Sequence, residues 1–134
     1  MIAVGHQPNY LPYLGLFAKI AASDCFVIVD NVQFVKRGPF GFQHRAKIRT
    51  REGWQWLTIP VLTKGKYTQL ISDVEINNAV PWRGKHWRSI LYQYGHARFF
   101  KQYCDGLEAL YAREWARLAD VNIACLRFLL DALG

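Results

Sequence analysis

The chain opens on a short apolar run, Met1–Gly5, that predicts a strand ending at Gly5. Residues 6–13 break that pattern, because Pro8, Asn9 and Pro12 interrupt regular structure and mark a loop. From Pro12 onward Leu14, Phe17, Ala18 and Ala21 recur at helical spacing. Proline suits a helix start, where its missing N–H costs nothing. Ser23-Asp24 closes this helix, and the β-branched and aromatic run Cys25–Val29 predicts a buried strand. Being apolar throughout, that strand is expected to be covered on both faces. Strand, loop, helix and strand over about 30 residues is the size of one βαβ crossover.

The middle of the chain changes period. Val32–Val35, Gln43–Thr50, Trp54–Val61 and Ile71–Ile76 predict strands, separated by Gly38-Pro39, Glu52-Gly53 and Lys64-Gly65-Lys66. Trp54, Trp56 and Thr58 alternate with Gln55, Leu57 and Ile59, and Arg51-Glu52-Gly53 between two strands predicts a hairpin. Pro60 places its part of the third strand at an edge or an end.

The last third is helical. Asn78 is a candidate cap for a helix entered through Pro81, with Trp82, Trp87, Ile90, Leu91 and Tyr94 on its apolar side and Gly95 as its stop. A second helix includes Phe99–Tyr103, with Leu107–Tyr111 as its continuation or successor. A third runs from about Trp115 to Leu133, its buried stripe formed by Leu118, Val121, Ala124, Cys125, Phe128, Leu129 and Ala132. The fold class is therefore α/β: an N-terminal βαβ unit, a small antiparallel β insertion and a helical C-terminal third. One domain spans 1–134. It reads as an incomplete α/β sandwich, the front part of a larger architecture or one completed by homo-oligomerisation.

Composition narrows the functional classes. At 51% hydrophobic and 15% aromatic the chain is too apolar for disorder. Its longest apolar runs fall far short of the ~20 residues that span a bilayer. The N-terminus lacks the basic start and apolar core of a signal peptide, so a cytoplasmic location is expected. Three widely spaced cysteines and four histidines (His6, His44, His86, His96) show no disulfide framework and no metal-ligand spacing. Reduced, mostly buried thiols are expected, no metal is assigned, and the residues identify no cofactor. Seventeen Lys and Arg against ten Asp and Glu give a net charge of +7, which favours an anionic partner.

Three stretches can carry chemistry. The loop His6-Gln7-Pro8-Asn9-Tyr10 follows a strand and precedes a helix, where α/β sheets bind ligands outside their strand C-termini. His6 can serve as general acid or base there, and Gln7, Asn9 and Tyr10 can bind substrate. The plain alternative is a proline-rich turn whose polar groups satisfy its own backbone. The second stretch holds Lys36, Arg37, Arg45, Lys47, Arg49 and Arg51, six cations and no carboxylate in residues 36–51. On a strand, Arg45, Lys47, Arg49 and Arg51 share one face, and an anion above them relieves their repulsion. The plain alternative is a solvated strand face. Asp30, ending a buried strand, is the carboxylate best placed for catalysis, with Gln33 beside it; its alternative is a turn cap. The third stretch pairs the turn lysines Lys64 and Lys66 with Lys85-His86-Trp87-Arg88, where cations at a helix start oppose its dipole and point to an acidic partner. Trp82 and Trp87 are expected in the core.

Taken in order, His6-Gln7-Pro8-Asn9-Tyr10-Leu11-Pro12-Tyr13-Leu14-Gly15, Asp30-Asn31-Val32-Gln33-Phe34-Val35-Lys36-Arg37 and Trp54-Gln55-Trp56-Leu57-Thr58-Ile59-Pro60-Val61 resemble the WbqC-like protein family. Lys85-His86-Trp87 and Tyr92 are similar too. The resemblance implies a bacterial protein associated with polysaccharide or O-antigen biosynthesis. It also implies further α/β elements beyond the helix at Val121–Leu133. A looser likeness, a strand leading into a Gln-Pro loop and helix, is to nucleotidyltransferases of the HIGH-motif superfamily; Tyr13 and Gly15 stand where a second histidine is expected.

These readings converge on a group-transfer enzyme, or its N-terminal part, acting on a nucleotide-linked or phosphorylated sugar. His6 and Asp30 are the catalytic candidates. Gln7, Asn9, Tyr10, Gln33, Lys36, Arg37, Arg45, Lys47, Lys64 and His86 are the substrate-binding candidates. The competing readings are a non-catalytic module for nucleic acid or another anionic polymer, using the Lys36–Arg51 face, and a structural or partner subunit.

Overall fold

The computed structural model describes residues 1–36 and 41–134. The N-terminal unit forms as its pattern predicts. β1 (Ala3–His6) leads through a loop into α1 (Leu14–Ala21), and β2 (Cys25–Ile28) returns parallel to β1, pairing Ala3 with Cys25 and His6 with Ile28. Leu11, just before Pro12, has φ 42°, a left-handed conformation that is uncommon for a branched side chain.

The covered strand expected at Cys25–Val29 is corrected. β1 and β2 form a two-stranded sheet among the described residues, and β2 alternates exposed and half-buried positions. Ile2 and Val27 remain 59% and 48% exposed. Two parallel strands on their own leave apolar side chains open, whereas parallel sheets are normally covered on both sides.

β3 (Arg45–Thr50) and β4 (Gly53–Thr58) form an antiparallel hairpin around Arg51-Glu52. Gly53 closes the turn at φ 145°, backbone that disfavours a side chain. Period 2 then sorts the residues. Ala46, Ile48 and Leu57 are buried, while Arg45, Lys47 and Arg49 face outward with their register partners Thr58, Trp56 and Trp54.

The other two predicted strands do not form as ladders. Val32–Val35 keeps one bridge, Gln33 to Leu70, and Ile71–Ile76 opens as a 3₁₀ turn over Ile71–Asp73. Ile76 bridges to Val61 and Glu75 to Arg117. Ile71, Val74 and Ile76 are all buried, so their apolar spacing reports core contact and not a regular strand.

Three helices complete the fold: α2 (Trp82–Tyr94), α3 (Phe100–Ala112) and α4 (Leu118–Leu133). Phe100–Tyr103 and Leu107–Tyr111 thus belong to one continuous helix, with Phe99 just before its start. Asn78 does not cap α2, which starts after Pro81 without a side-chain cap. Its amide instead donates to the Trp115 carbonyl at 2.8 Å, and its oxygen accepts from Trp82 Nε1 at 3.1 Å. The core gathers Ile48 and Leu57 of the hairpin, Ile59, Ile71 and Val74, and Trp82, Tyr111, Leu118 and Val121 of the helices. Each such side chain stabilises the fold by roughly 1.5–3 kcal/mol relative to exposure. Trp82 is fully buried and Trp87 packs against this core, as expected of them. Of the cysteines, Cys125 alone is buried; Cys104 is half-buried and Cys25 exposed. No helix among the described residues is long and apolar enough to cross a membrane.

Candidate functional site

Parallel pairing places the C-terminal ends of β1 and β2 side by side, and a cleft of about 400 Å³ opens there between Gly5, His6, Gln7, Val29 and Val32. His6 Nδ1 lies 2.7 Å from the Gln7 carbonyl. A carbonyl only accepts, so Nδ1 donates to it, which leaves Nε2 as the ring nitrogen not held by the backbone. Asp30 follows Val29 at this end. Its carbonyl accepts from Ser72 N–H at 3.0 Å, fixing the turn that carries the carboxylate.

The loop then dives inward. Asn9 and Tyr10 are buried, and the Tyr10 hydroxyl bonds both His86 Nδ1, at 2.9 Å, and the Tyr111 hydroxyl. His86 Nε2 donates to the Thr58 carbonyl at 2.9 Å. Tyr10 and His86 are 1% and 4% exposed and hold one another in the interior, behind the strand-end cleft. Burial lowers the pKa of His86 to about 4, against the raising effect of the Thr58 bond. Burial likewise raises the pKa values of Tyr10 and Tyr111, so the chain of hydroxyls is neutral. The Cys125 thiol, pushed up to about 12 by burial, is inert.

Beside this relay sits a second buried polar group. Asn122 of α4 donates through Nδ2 to the Pro8 carbonyl at 2.9 Å and to the Gln43 carbonyl at 2.7 Å. Gln43 Oε1 accepts from Val35 N–H at 2.7 Å, and Tyr10 N–H reaches the Phe42 carbonyl at 3.3 Å. The His6 loop and the root of β3 are thereby clamped together. Asn9 Oδ1, Gln43 Nε2, His44 Nδ1 and Asn122 Oδ1 are buried with no hydrogen-bond partner among the described residues. Burial, reinforced by Arg45 and Lys36, lowers the pKa of His44 to about 4.

The hairpin's outer face carries the cations. The Arg45 guanidinium lies 4.1 Å from the Trp56 ring centre, and Lys47 Nζ lies 4.3 Å from Trp54 and 5.1 Å from Trp56. Phe42 packs on Trp56 at 5.7 Å, and Arg45 Nε donates to the Gly41 carbonyl at 2.8 Å. The rings hold the cations in place without neutralising them, and no carboxylate stands opposite in the strand register.

With this geometry the comparisons fall into place: the chain matches the WbqC-like protein family over residues 7–134. It belongs to that family. It is 37% identical over 129 residues to the uncharacterized protein Rv1507c of Mycobacterium tuberculosis (strain ATCC 25618 / H37Rv). That alignment covers 96% of this chain and 54% of the relative, so the chain spans about half the length of the curated relative it matches. No solved structure matches the chain.

The motifs that carry the family resemblance do not all meet at one point. His6, Gln7 and Asp30 gather at the strand ends, and Asn9, Tyr10 and His86 form the interior behind them. Arg45 and Lys47 occupy the hairpin face. Lys36 is exposed at the end of its segment, and Arg37 lies outside the described residues. Gln33 is exposed and donates to the Tyr67 carbonyl at 3.3 Å, which ties it to the exposed Lys64 turn, a separate neighbourhood.

Sequence reasoning missed Gln43, Asn122 and Tyr111 as functional scaffolding, and Trp54 and Trp56 as partners of the cations. Asn122 had a legible signal, since it is the one amide inside the apolar stretch Val121–Cys125. Tyr111 had none. One further group, Cys104, Asp105 and Glu108, clusters on a turn of α3 with two of its three members exposed.

Proposed function

We propose that this WbqC-like chain contributes the anion-binding and proton-transferring part of a group-transfer enzyme acting on a nucleotide-linked or phosphorylated sugar. The observation that carries the reading is the clamp of Asn122 on Pro8 and Gln43. It couples the loop bearing His6 to the strand bearing Arg45 and Lys47. His6, its free Nε2 at the strand-end cleft, takes a proton from the attacking group. Asp30 and Gln7 flank it. Arg45 and Lys47, held over indole rings, take up phosphate charge. Tyr10 and His86 are positioning residues, fixing the loop from inside.

Calorimetric titration with nucleotide-linked and phosphorylated sugars tests this reading. Saturable binding that falls about tenfold or more in Arg45→Ala/Lys47→Ala supports it. Unchanged affinity in that variant removes the hairpin from the site. The exposed indole of Trp54 beside these cations favours a second reading, an anionic-polymer module. That reading predicts affinity for generic single-stranded RNA that drops steeply with salt, and no affinity for small sugar phosphates.

A further inference from the structure

At the tip of the hairpin a second, open cleft of about 1110 Å³ runs between the β3–β4 turn and the C-terminal end of α2. It is separate from the His6 cleft and shares no lining residue with it. Arg49 and Arg51 line one side, Trp54 the floor of the turn, and Tyr92 and His96 the helix end. Trp54 and Tyr92 are 55% and 79% exposed, so two aromatic rings stand open in the same cleft as the arginines. The cleft is held open by its own frame: the Arg49 N–H donates to the Tyr94 hydroxyl at 2.8 Å, fixing strand to helix. Trp54 is itself oriented, edge-on to Trp56 at 5.5 Å with Lys47 over its ring.

This combination selects among ligands. A bare anion has use for the guanidiniums and none for two exposed aromatic rings. A neutral sugar can stack on an indole but gives two arginines nothing to pair. A nucleotide uses both, its base on an aromatic face and its phosphates on the arginines. Glu52, the one carboxylate lining the cleft, can accept from ribose hydroxyls. We infer that the hairpin-tip cleft seats a nucleoside diphosphate, with Trp54 stacking on the base and Arg49 and Arg51 holding the phosphate next to the nucleoside, while Arg45 and Lys47, farther along the same strand face, take the outer phosphate. The inference rests on the proposed nucleotide-linked substrate and assigns its nucleotide portion a place.

The test is Trp fluorescence titration with UDP, ADP, GDP and TDP, and with inorganic pyrophosphate as the base-free probe. Quenching that saturates with at least one nucleotide is expected. Trp54→Ala should weaken it about tenfold or more and Trp54→Phe by less than about threefold, as stacking predicts. Arg49→Ala/Arg51→Ala should weaken it about tenfold, and pyrophosphate should bind far more weakly and ignore the Trp54 substitutions. Binding of that nucleotide is read by calorimetry in the Trp54 variants, and circular dichroism checks their folding. Nucleotide affinity unchanged in both Trp54→Ala and the double arginine variant overturns the assignment. So does affinity that climbs with oligonucleotide length, which marks a polymer surface. Binding to none of the four nucleotides, combined with His6-dependent transfer from a phosphorylated sugar, overturns this inference and leaves the group-transfer reading standing.

Discussion

The Tyr10 hydroxyl donates to His86 Nδ1 at 2.9 Å across 76 positions of chain. Its direction is fixed from the far end. The Thr58 carbonyl can only accept, so His86 Nε2 carries the hydrogen, Nδ1 accepts from Tyr10, and Tyr10 in turn accepts from Tyr111. A conspicuous loop motif and a helix histidine thus meet inside the core.

Removing either hydroxyl tests that order. Tyr10→Phe leaves the buried His86 Nδ1 and the Tyr111 hydroxyl unpaired and should cost about 2–3 kcal/mol. Tyr111→Phe removes only the terminal donor and should cost about 1 kcal/mol. Urea denaturation of the two single variants and the double variant gives the coupling; additive losses would mean that the hydroxyls do not act as a chain.

Acid should destabilise the fold through two histidines. His44 and His86, both lowered to about 4, are neutral in the folded state at pH 5. An unfolded imidazole has already taken up a proton there, its ordinary value being about 6.5. The unfolded state therefore binds more protons between about pH 4 and 6.5, and stability falls as pH falls through that window. Each proton contributes at most about 1.4 kcal/mol per pH unit, and the contribution is flat above about pH 7. Denaturation midpoints measured from pH 7.5 to 4.5 should show this slope, and His86→Gln should reduce it. A flat profile would contradict the neutral assignment.

Asn122 is the clamp most sensitive to chemistry. Asn122→Ala strands the Pro8 and Gln43 carbonyls and should cost about 2–3 kcal/mol. Asn122→Asp, similar in shape, sets a carboxylate against two carbonyl oxygens and should cost more. Thermal melting of both variants decides the matter. Asp tolerated better than Ala would show that the two donated bonds are not what Asn122 supplies.

Much of this fold was legible because its patterns are local. The proline-rich break before Leu14 and the alternation through Arg45–Thr50 predicted a crossover and a hairpin that the structure contains. Ile71–Ile76 misled because burial alone, without a ladder partner, produces the same apolar spacing. Cys25–Val29 misled differently: its composition suits a doubly covered strand, and the described residues cover one side. The polar interior was the least legible part. Asn9, Tyr10, Gln43, His86, Tyr111 and Asn122 come from five distant segments, and no local period announces a hydrogen bond across 76 or 114 positions.

The most direct test of the account is single-turnover group transfer from a panel of nucleotide-linked and phosphorylated sugars, comparing the native chain with His6→Ala. His6 is only half-buried on a strand end, so the variant should fold and should bind substrate as the native chain does. Transfer by the native chain is expected, with a loss of about 10²-fold or more in the variant and binding unchanged, the effect of deleting a general base. Equal transfer rates in the two proteins would contradict it.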